Sequence, residues 1–249
     1  MVKTAYDKES ASSYDLKRFT TQSGQLIHEI EVSILTEALN KLDTKEASIL
    51  EVGCGTGRLL IEVILAGYKA NGLDPSLHML TQSRKKLQSD LFQTKLVLGE
   101  AAHLPFKTNH YEFVYTIRVL NQTTSHLYAL DTIIEMIRIA KPNGLILVEF
   151  MNHYRLGLDR RRVRLGPEQV VDRVNKKNIR LRPKEIFQIA KNNNSNVVWL
   201  RGAFFFGMTG LNIMPEFAIQ LVSKVDQFFS KLFPGLCSRC YILLQKDAA

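Results

Sequence analysis

The sequence predicts an α/β protein with a doubly wound, seven-stranded, mostly parallel sheet and an insertion after the fifth strand. Three observations carry that expectation. Short apolar segments alternate with helical patterns between residues 45 and 151, the first apolar segment runs into a glycine-rich turn, and two further strand patterns follow a basic stretch. Alternation of this kind gives a parallel sheet covered on both faces. The 249 residues, 45% hydrophobic and 23% charged, are enough for one large core and exclude disordered and collagen-like classes.

Between residues 24 and 42, Leu26, Ile27, Ile30, Ile34, Leu35, Leu39 and Leu42 recur at helical spacing, with Glu29, Glu31 and Glu37 between them, which predicts an amphipathic helix. Residues 47–52 read as a short apolar strand. The glycine turn follows, then a helix through Leu59, Leu60, Val63, Ile64 and Leu65 that ends near Gly67. A second unit has a strand over 68–73 and a helix over 76–87, and a third strand over 95–98 leads into the loop 99–106. Residues 111–117 predict strand four, and 144–150 strand five. The intervening helix, 125–140, carries Leu127, Leu130, Ile133, Ile134, Met136 and Ile137 mostly inward. Beyond Phe150 the alternation breaks. One helix is predicted around 167–174 and another over 183–191, stopped by Asn192-Asn193-Asn194. A strand over 197–206, an amphipathic helix over 215–233 with a permitted proline at its start, and a closing strand over 237–245 complete the chain. With no repeat and no Pro-, Gly- or Ser-rich linker, residues 1–249 are expected to form a single domain: N-terminal helices (1–45), a cofactor-binding core (45–151), a basic insertion (152–184) and C-terminal helices and closing strands (185–249).

The formal net charge of +9 suggests nucleic acid until it is located. Residues 155–184 hold 11 Lys/Arg against 3 Asp/Glu, so nearly all of the excess is local. Aromatic residues for base stacking are almost absent there, which disfavours nucleic acid. Charges near the N-terminus, where a secretory signal would be apolar, and an odd count of three cysteines lead us to expect a reducing, cytoplasmic setting. The longest apolar stretch, around 203–215, is too short and too glycine-interrupted for a transmembrane segment.

A glycine-rich turn between a first strand and its helix lets backbone approach a ligand and aims helix N-terminal amides at it. Dinucleotide folds use Gly-x-Gly-x-x-Gly. Here the run is Glu51-Val52-Gly53-Cys54-Gly55-Thr56-Gly57, with Arg58 where the last glycine would stand. This arrangement resembles motif I of the class I S-adenosylmethionine-dependent methyltransferases. Gly72-Leu73-Asp74-Pro75-Ser76-Leu77-His78-Met79-Leu80 is similar to the second motif of that family. Gly99-Glu100-Ala101-Ala102-His103-Leu104-Pro105-Phe106 resembles its Gly-Asp-Ala-x-x-Leu-Pro-Phe, and Ala140-Lys141-Pro142-Asn143-Gly144 stands where Leu-Lys-Pro-Gly-Gly is usual. Within the class, the chain looks like the type-11 group of small-molecule methyltransferases, although Asn121-Gln122 occupies the place of a frequent histidine pair.

The resemblance implies a Rossmann-like methyltransferase fold and S-adenosyl-L-methionine as cofactor, with no metal. It places Glu51, Gly53, Cys54, Gly55 and Gly57 at the methionine and ribose portion, and Asp74 at the ribose with Pro75 and Met79 beside it. Glu100 and Ala101 fall at the adenine. Thr116 belongs to the same set, and Tyr14 and Arg18 fold over the donor pocket, Arg18 pairing with the methionine carboxylate. Arg118 and Asn121, just past strand four, are expected to face the transferring methyl, with bracing of the loop the alternative role for Arg118. Because a sulfonium methyl is already a strong electrophile, the reaction depends on alignment and water exclusion. A general base would serve a hydroxyl acceptor, and of His103, His126 and His153 the last, just past strand five, is the first candidate.

The acceptor is expected to be a small molecule, anionic or apolar. Arg160-Arg161-Arg162-Val163-Arg164 suits an anionic acceptor, a phosphate-bearing carrier or an acidic membrane surface, or is simply a solvated loop. Cys237 and Cys240 have half a zinc site's spacing but no second pair, and read as core packing. Phe204, Phe205, Phe206, Phe217, Phe228, Phe229 and Phe233 read as core or acceptor-pocket lining, with contact to lipid-like molecules if exposed. Two competing classes remain: a protein that binds the cofactor without transfer, and a nicotinamide-dependent oxidoreductase, against which the glycine spacing argues.

Overall fold

A computed structural model describes residues 6–87, 94–155, 178–207 and 216–248. The helix expected around 167–174 and the arginine run 160–164 lie outside the described residues. Three helices open the chain, α1 (Lys8–Ser12), α2 (Tyr14–Phe19) and α3 (Gln22–Leu39). The alternating core follows as β1 (Ser48–Val52), α4 (Arg58–Leu65), β2 (Lys69–Asp74), α5 (Leu77–Lys86), β3 (Leu96–Leu98), β4 (Tyr111–Thr116), α6 (His126–Ile139) and β5 (Ala140–Met151). After the basic stretch come α7 (Pro183–Asn192), β6 (Ser195–Ala203), α8 (Glu216–Leu232) and β7 (Arg239–Lys246).

The seven strands form one sheet in the order β3-β2-β1-β4-β5-β7-β6. The five core strands pair in parallel, and β7 pairs antiparallel with both β5 and β6. β7 alone therefore runs against the rest. The chain moves outward from β1 to β3 and then returns to place β4 on the other side of β1. That reversal opens a crevice at the C-terminal ends of β1 and β4, where ligands bind in open α/β sheets.

Local chemistry explains the elements. Ser76 accepts from the Met79 amide and Ser125 from the Tyr128 amide, so α5 and α6 each start on a serine cap. Pro183 occupies the first turn of α7, and Glu185 returns a bond to the Arg182 amide. In β5 the run Leu145–Phe150 is buried on both faces, as befits a central strand, and the strand begins earlier than its apolar run because Ala140 pairs with Tyr111. Asn143 takes φ +63°, which asparagine tolerates where the resembling motif has glycine.

Each face of the sheet has its own core. One joins Ile27, Leu35, Leu60, Phe113, Tyr115, Leu147 and Leu243. The other joins Leu50, Val114, Ile133, Met136, Ile146, Val148 and Ile242. Two expectations fail here. Leu127 and Ile134, in the group read as mostly inward, are exposed, Leu127 lying in the first turn of α6. Glu31, read as lying between apolar positions, is fully buried because two arginines meet it there.

Candidate functional site

At the crevice predicted by the sheet topology, a cavity is lined by Tyr14, Glu51, Gly53, Cys54, Gly55, Asp74, Pro75, Met79, Ala101 and Arg118, all singled out by sequence. The same wall includes Tyr6, Phe19, Thr56, Arg58, Ser76, Ile117, Val119, Gln122 and Tyr128, which sequence reasoning missed.

β1 delivers Glu51 and β2 delivers Asp74, paired strands ending side by side. The Asp74 carboxylate accepts the Gly55 amide at 2.9 Å on one oxygen and the Ser76 amide at 2.8 Å on the other. It thereby pins the glycine turn to the end of β2. Each oxygen keeps a further lone pair. Burial pushes Asp74 up to about 6, against the pull of those two amides. Glu51 accepts the Tyr115 hydroxyl at 3.1 Å, and burial pushes it up to about 8, opposed by Tyr115 and by Arg58. Gly55 has φ +54°, and a side chain there would meet nothing within 4 Å. The backbone is therefore open to a ligand at that point. Gly57 does not line the cavity. A Cβ there would come within 2.4 Å of the Ser83 hydroxyl, so this glycine serves close packing of α4 on α5.

Below the cavity lies a charged layer. Glu31 from α3 pairs with Arg58 at the start of α4 and stands 3.5 Å from Arg118. Glu149 of β5 accepts the Arg118 amide at 2.7 Å and pairs with Arg239 of β7. Arg118 has φ +64°, a costly conformation for arginine, and these acidic partners hold it. The Phe19 ring lies against both guanidinium groups, 4.1 Å from Arg58 and 5.6 Å from Arg118. Nε and Nη1 of Arg118 are buried without a hydrogen-bond partner.

Several expected residues stay outside the cavity. Arg18 lies exposed on α2 and stacks on Tyr14 at 5.0 Å, which keeps its guanidinium off the cavity wall. Thr116 is fully buried and donates to the Val52 carbonyl, tying β4 to β1. Asn121 is turned inward by a short 3₁₀ turn, Leu120–Gln122, and its backbone carbonyl accepts the Ile179 amide. Its neighbour Gln122 lines the cavity instead and accepts the Tyr6 hydroxyl at 2.6 Å. Glu100 is not on the wall, but the Tyr128 phenol, which is, lies within reach of it.

None of the six histidines lines the cavity. His153 is held aside by its amide bond to the Leu181 carbonyl, and burial with Arg182 and Arg180 nearby lowers its pKa. His126 bonds Glu185 at 3.0 Å, and His103 is exposed. Burial pushes the Tyr6 phenol up to about 12, so it keeps its proton near neutrality and donates a hydrogen bond to Gln122. Cys237 and Cys240 are buried free thiols, and their hydrogen bonds go to backbone carbonyls. Among the described residues, no group of three His, Cys, Asp or Glu is placed to hold a metal, and no helix is long and apolar enough to cross a membrane.

Residues 49–144 match the family model described as a methyltransferase domain. A demethylmenaquinone methyltransferase of Bacillus cereus is 32% identical over 116 residues, covering 45% of this chain and 48% of the relative. The chain thus matches about half the length of the curated relatives. Among solved structures, magnesium protoporphyrin IX methyltransferase from Synechocystis PCC 6803 with bound SAH superposes with a TM-score of 0.61 at 17% identity, covering 90% of this chain and 84% of that one. An S-adenosylmethionine-dependent methyltransferase from Methanosarcina mazei gives 0.60 at 16%, covering 87% and 98%. The glycine turn, the two acidic strand ends and these likenesses agree: residues 49–144 form a methyltransferase domain, and the chain has the seven-stranded Rossmann-like fold of the S-adenosylmethionine-dependent methyltransferases it resembles.

Proposed function

We propose that this protein transfers a methyl group from S-adenosylmethionine to a small-molecule acceptor by in-line displacement. One observation carries the reading: two buried carboxylates, Glu51 and Asp74, flank the open backbone at Gly55 in a single crevice. A nucleoside carrying an amino-acid tail offers that crevice two ribose hydroxyls and a cationic amine. Asp74 would accept the hydroxyls with its remaining lone pairs, Glu51 would face the amine, and Ala101 with Met79 would flank the base. When bound, S-adenosylmethionine supplies an electrophilic methyl on sulfur. The protein positions the partners and excludes water, for which Tyr6, Tyr14 and Phe19 close the cavity from the N-terminal segment.

The acceptor side is apolar, with Phe19, Ile117 and Val119 on the wall, and Arg118 adds donors for an acidic oxygen. The relatives named for a demethylmenaquinone and a magnesium protoporphyrin support a ring-bearing acceptor of this kind. With every histidine off the wall, the acceptor would reach the site already nucleophilic, and we assign no protein base. We treat residues 1–249 as one domain with 152–184 as the acceptor-side insertion, in a reducing cytoplasm that suits three free thiols. Calorimetric titration with S-adenosylhomocysteine and with NAD tests the donor assignment.

Glu51 gives the site a pH signature. At pH 7 it is mostly protonated, since burial holds it at about 8. A cationic donor prefers its ionised form. Donor affinity is therefore expected to rise from pH 6 to pH 8 by up to about tenfold per unit, with a proton released on binding. For folding the sign is opposite. Glu51 is raised from 4.5, so its contribution is full below about 4.5 and is lost as pH rises through about 8. Glu51→Gln should flatten the affinity profile and lessen the alkaline loss of stability. An unchanged pH profile in the Glu51→Gln variant would show that another group titrates.

A further inference from the structure

The last helix, α8, carries an exposed apolar stripe that no other described element covers. Leu221 is 64% exposed, Val225 42%, Phe228 60% and Leu232 55%. At 3.6 residues per turn these four lie within an arc of about 60°. The opposite side of the helix is the packed one: Ile219, Asp226 and Ser230 are buried, and Asp226 accepts the Phe206 amide. The stripe is therefore a third face, neither core nor an ordinary polar surface. Beside it, in the next arc of about 60°, stand Gln220, Lys224, Gln227 and Lys231, all exposed. From residue 219 to 232 no acidic side chain is exposed.

The apolar surface continues beyond the helix. Phe228 meets Phe229 at 5.6 Å, and Phe229 meets Phe206 at 5.5 Å and Phe205 at 5.3 Å. Phe205 lies 6.1 Å from Phe233, and both Phe206 and Phe233 are exposed. Phe206 follows the end of β6, which runs in the same direction as β1. The aromatic end of the patch thus lies at the sheet edge that also bears the cavity.

We propose that this face docks on an anionic bilayer surface, with Leu221, Phe228 and Leu232 entering the headgroup–acyl boundary and Lys224 and Lys231 reaching lipid phosphates. An apolar stripe bordered by lysines, with no exposed acid on the same helix from 219 to 232 and Glu29 of α3 lining the groove beside Lys231, has the charge complement of such a surface. A second copy of the chain fits less well where the helices pack antiparallel. Two such faces related by a twofold axis across the helices would bring lysine rows together. Docking stands apart from the donor assignment, so vesicle binding and cofactor titration fail independently.

The test is sedimentation of the full chain with vesicles of phosphatidylcholine alone or with phosphatidylglycerol added. The expected result is binding to the anionic vesicles only. Leu221→Ser with Phe228→Ser should weaken it by about tenfold or more, with S-adenosylhomocysteine affinity unchanged. Lys224→Glu with Lys231→Glu, which leaves the apolar stripe intact, should weaken it by about tenfold or more as well. Three results would overturn the proposal: no binding of the wild type, binding that survives both pairs of substitutions, or a concentration-dependent dimer abolished by the serine pair without any vesicle binding.

Discussion

Asp74→Ala is expected to weaken affinity for S-adenosylmethionine and S-adenosylhomocysteine by about 1–3 kcal/mol, roughly 5- to 150-fold. The size follows from two losses. The charged acceptor that we assign to the ribose disappears, and the Gly55 and Ser76 amides lose the oxygens that hold the turn against β2. The turn is part of the binding surface, so the second loss acts on the site too. Isothermal titration at fixed pH reads the effect. Unchanged affinity would mean that the ribose is held elsewhere.

Breaking the buried pair below the cavity is expected to cost more in stability than any surface change. Glu149 and Arg239 are both buried and pair with each other, while Glu149 also takes the Arg118 amide. Glu149→Ala leaves a buried guanidinium and an unpaired amide, at a cost of about 3–5 kcal/mol. For a chain of this size each kcal/mol shifts the midpoint by about 2–4 °C, so a fall of about 6–20 °C is expected in thermal melts. A double replacement, Glu149→Leu with Arg239→Met, should recover much of it, because the cost lies in the orphaned charge. If Glu149→Ala melts within 2–3 °C of wild type (about 1 kcal/mol), the charge pair is not structurally important.

The part of the cavity wall that we assign to the donor was legible because its residues sit on contiguous motifs. Glu51 to Gly55 and Asp74 to Met79 each begin in the last residues of a strand, and the alternation of apolar segments located those strands within a residue or two. The closing strands were also legible, although their order was not: the placement of β7 between β5 and β6 depends on pairings that no local pattern encodes. The acceptor half was less readable. Tyr6 and Phe19 reach the cavity from a segment far ahead of β1 in the chain, Tyr6 tied by hydrogen bonds to Ser76 and Gln122 and Phe19 carried by the end of α2. His153 followed the rule that residues just past a strand end face the ligand, but a bridge between Asn152 and Leu181 extends the strand edge and turns it aside. Glu31 looked like surface because helical spacing cannot report a buried countercharge. The signal that could have found it was the pair of arginines, Arg58 at the start of α4 and Arg118 just past β4, with no other acid assigned to them.

The crevice between β1 and β4 is, on this reading, a site for a sulfonium nucleoside. Parallel calorimetric titrations with S-adenosylmethionine, S-adenosylhomocysteine and NAD test that directly. Saturable binding of the first two at one site per chain, with no heat from NAD, is the predicted result. Binding of NAD without either of the others would contradict it.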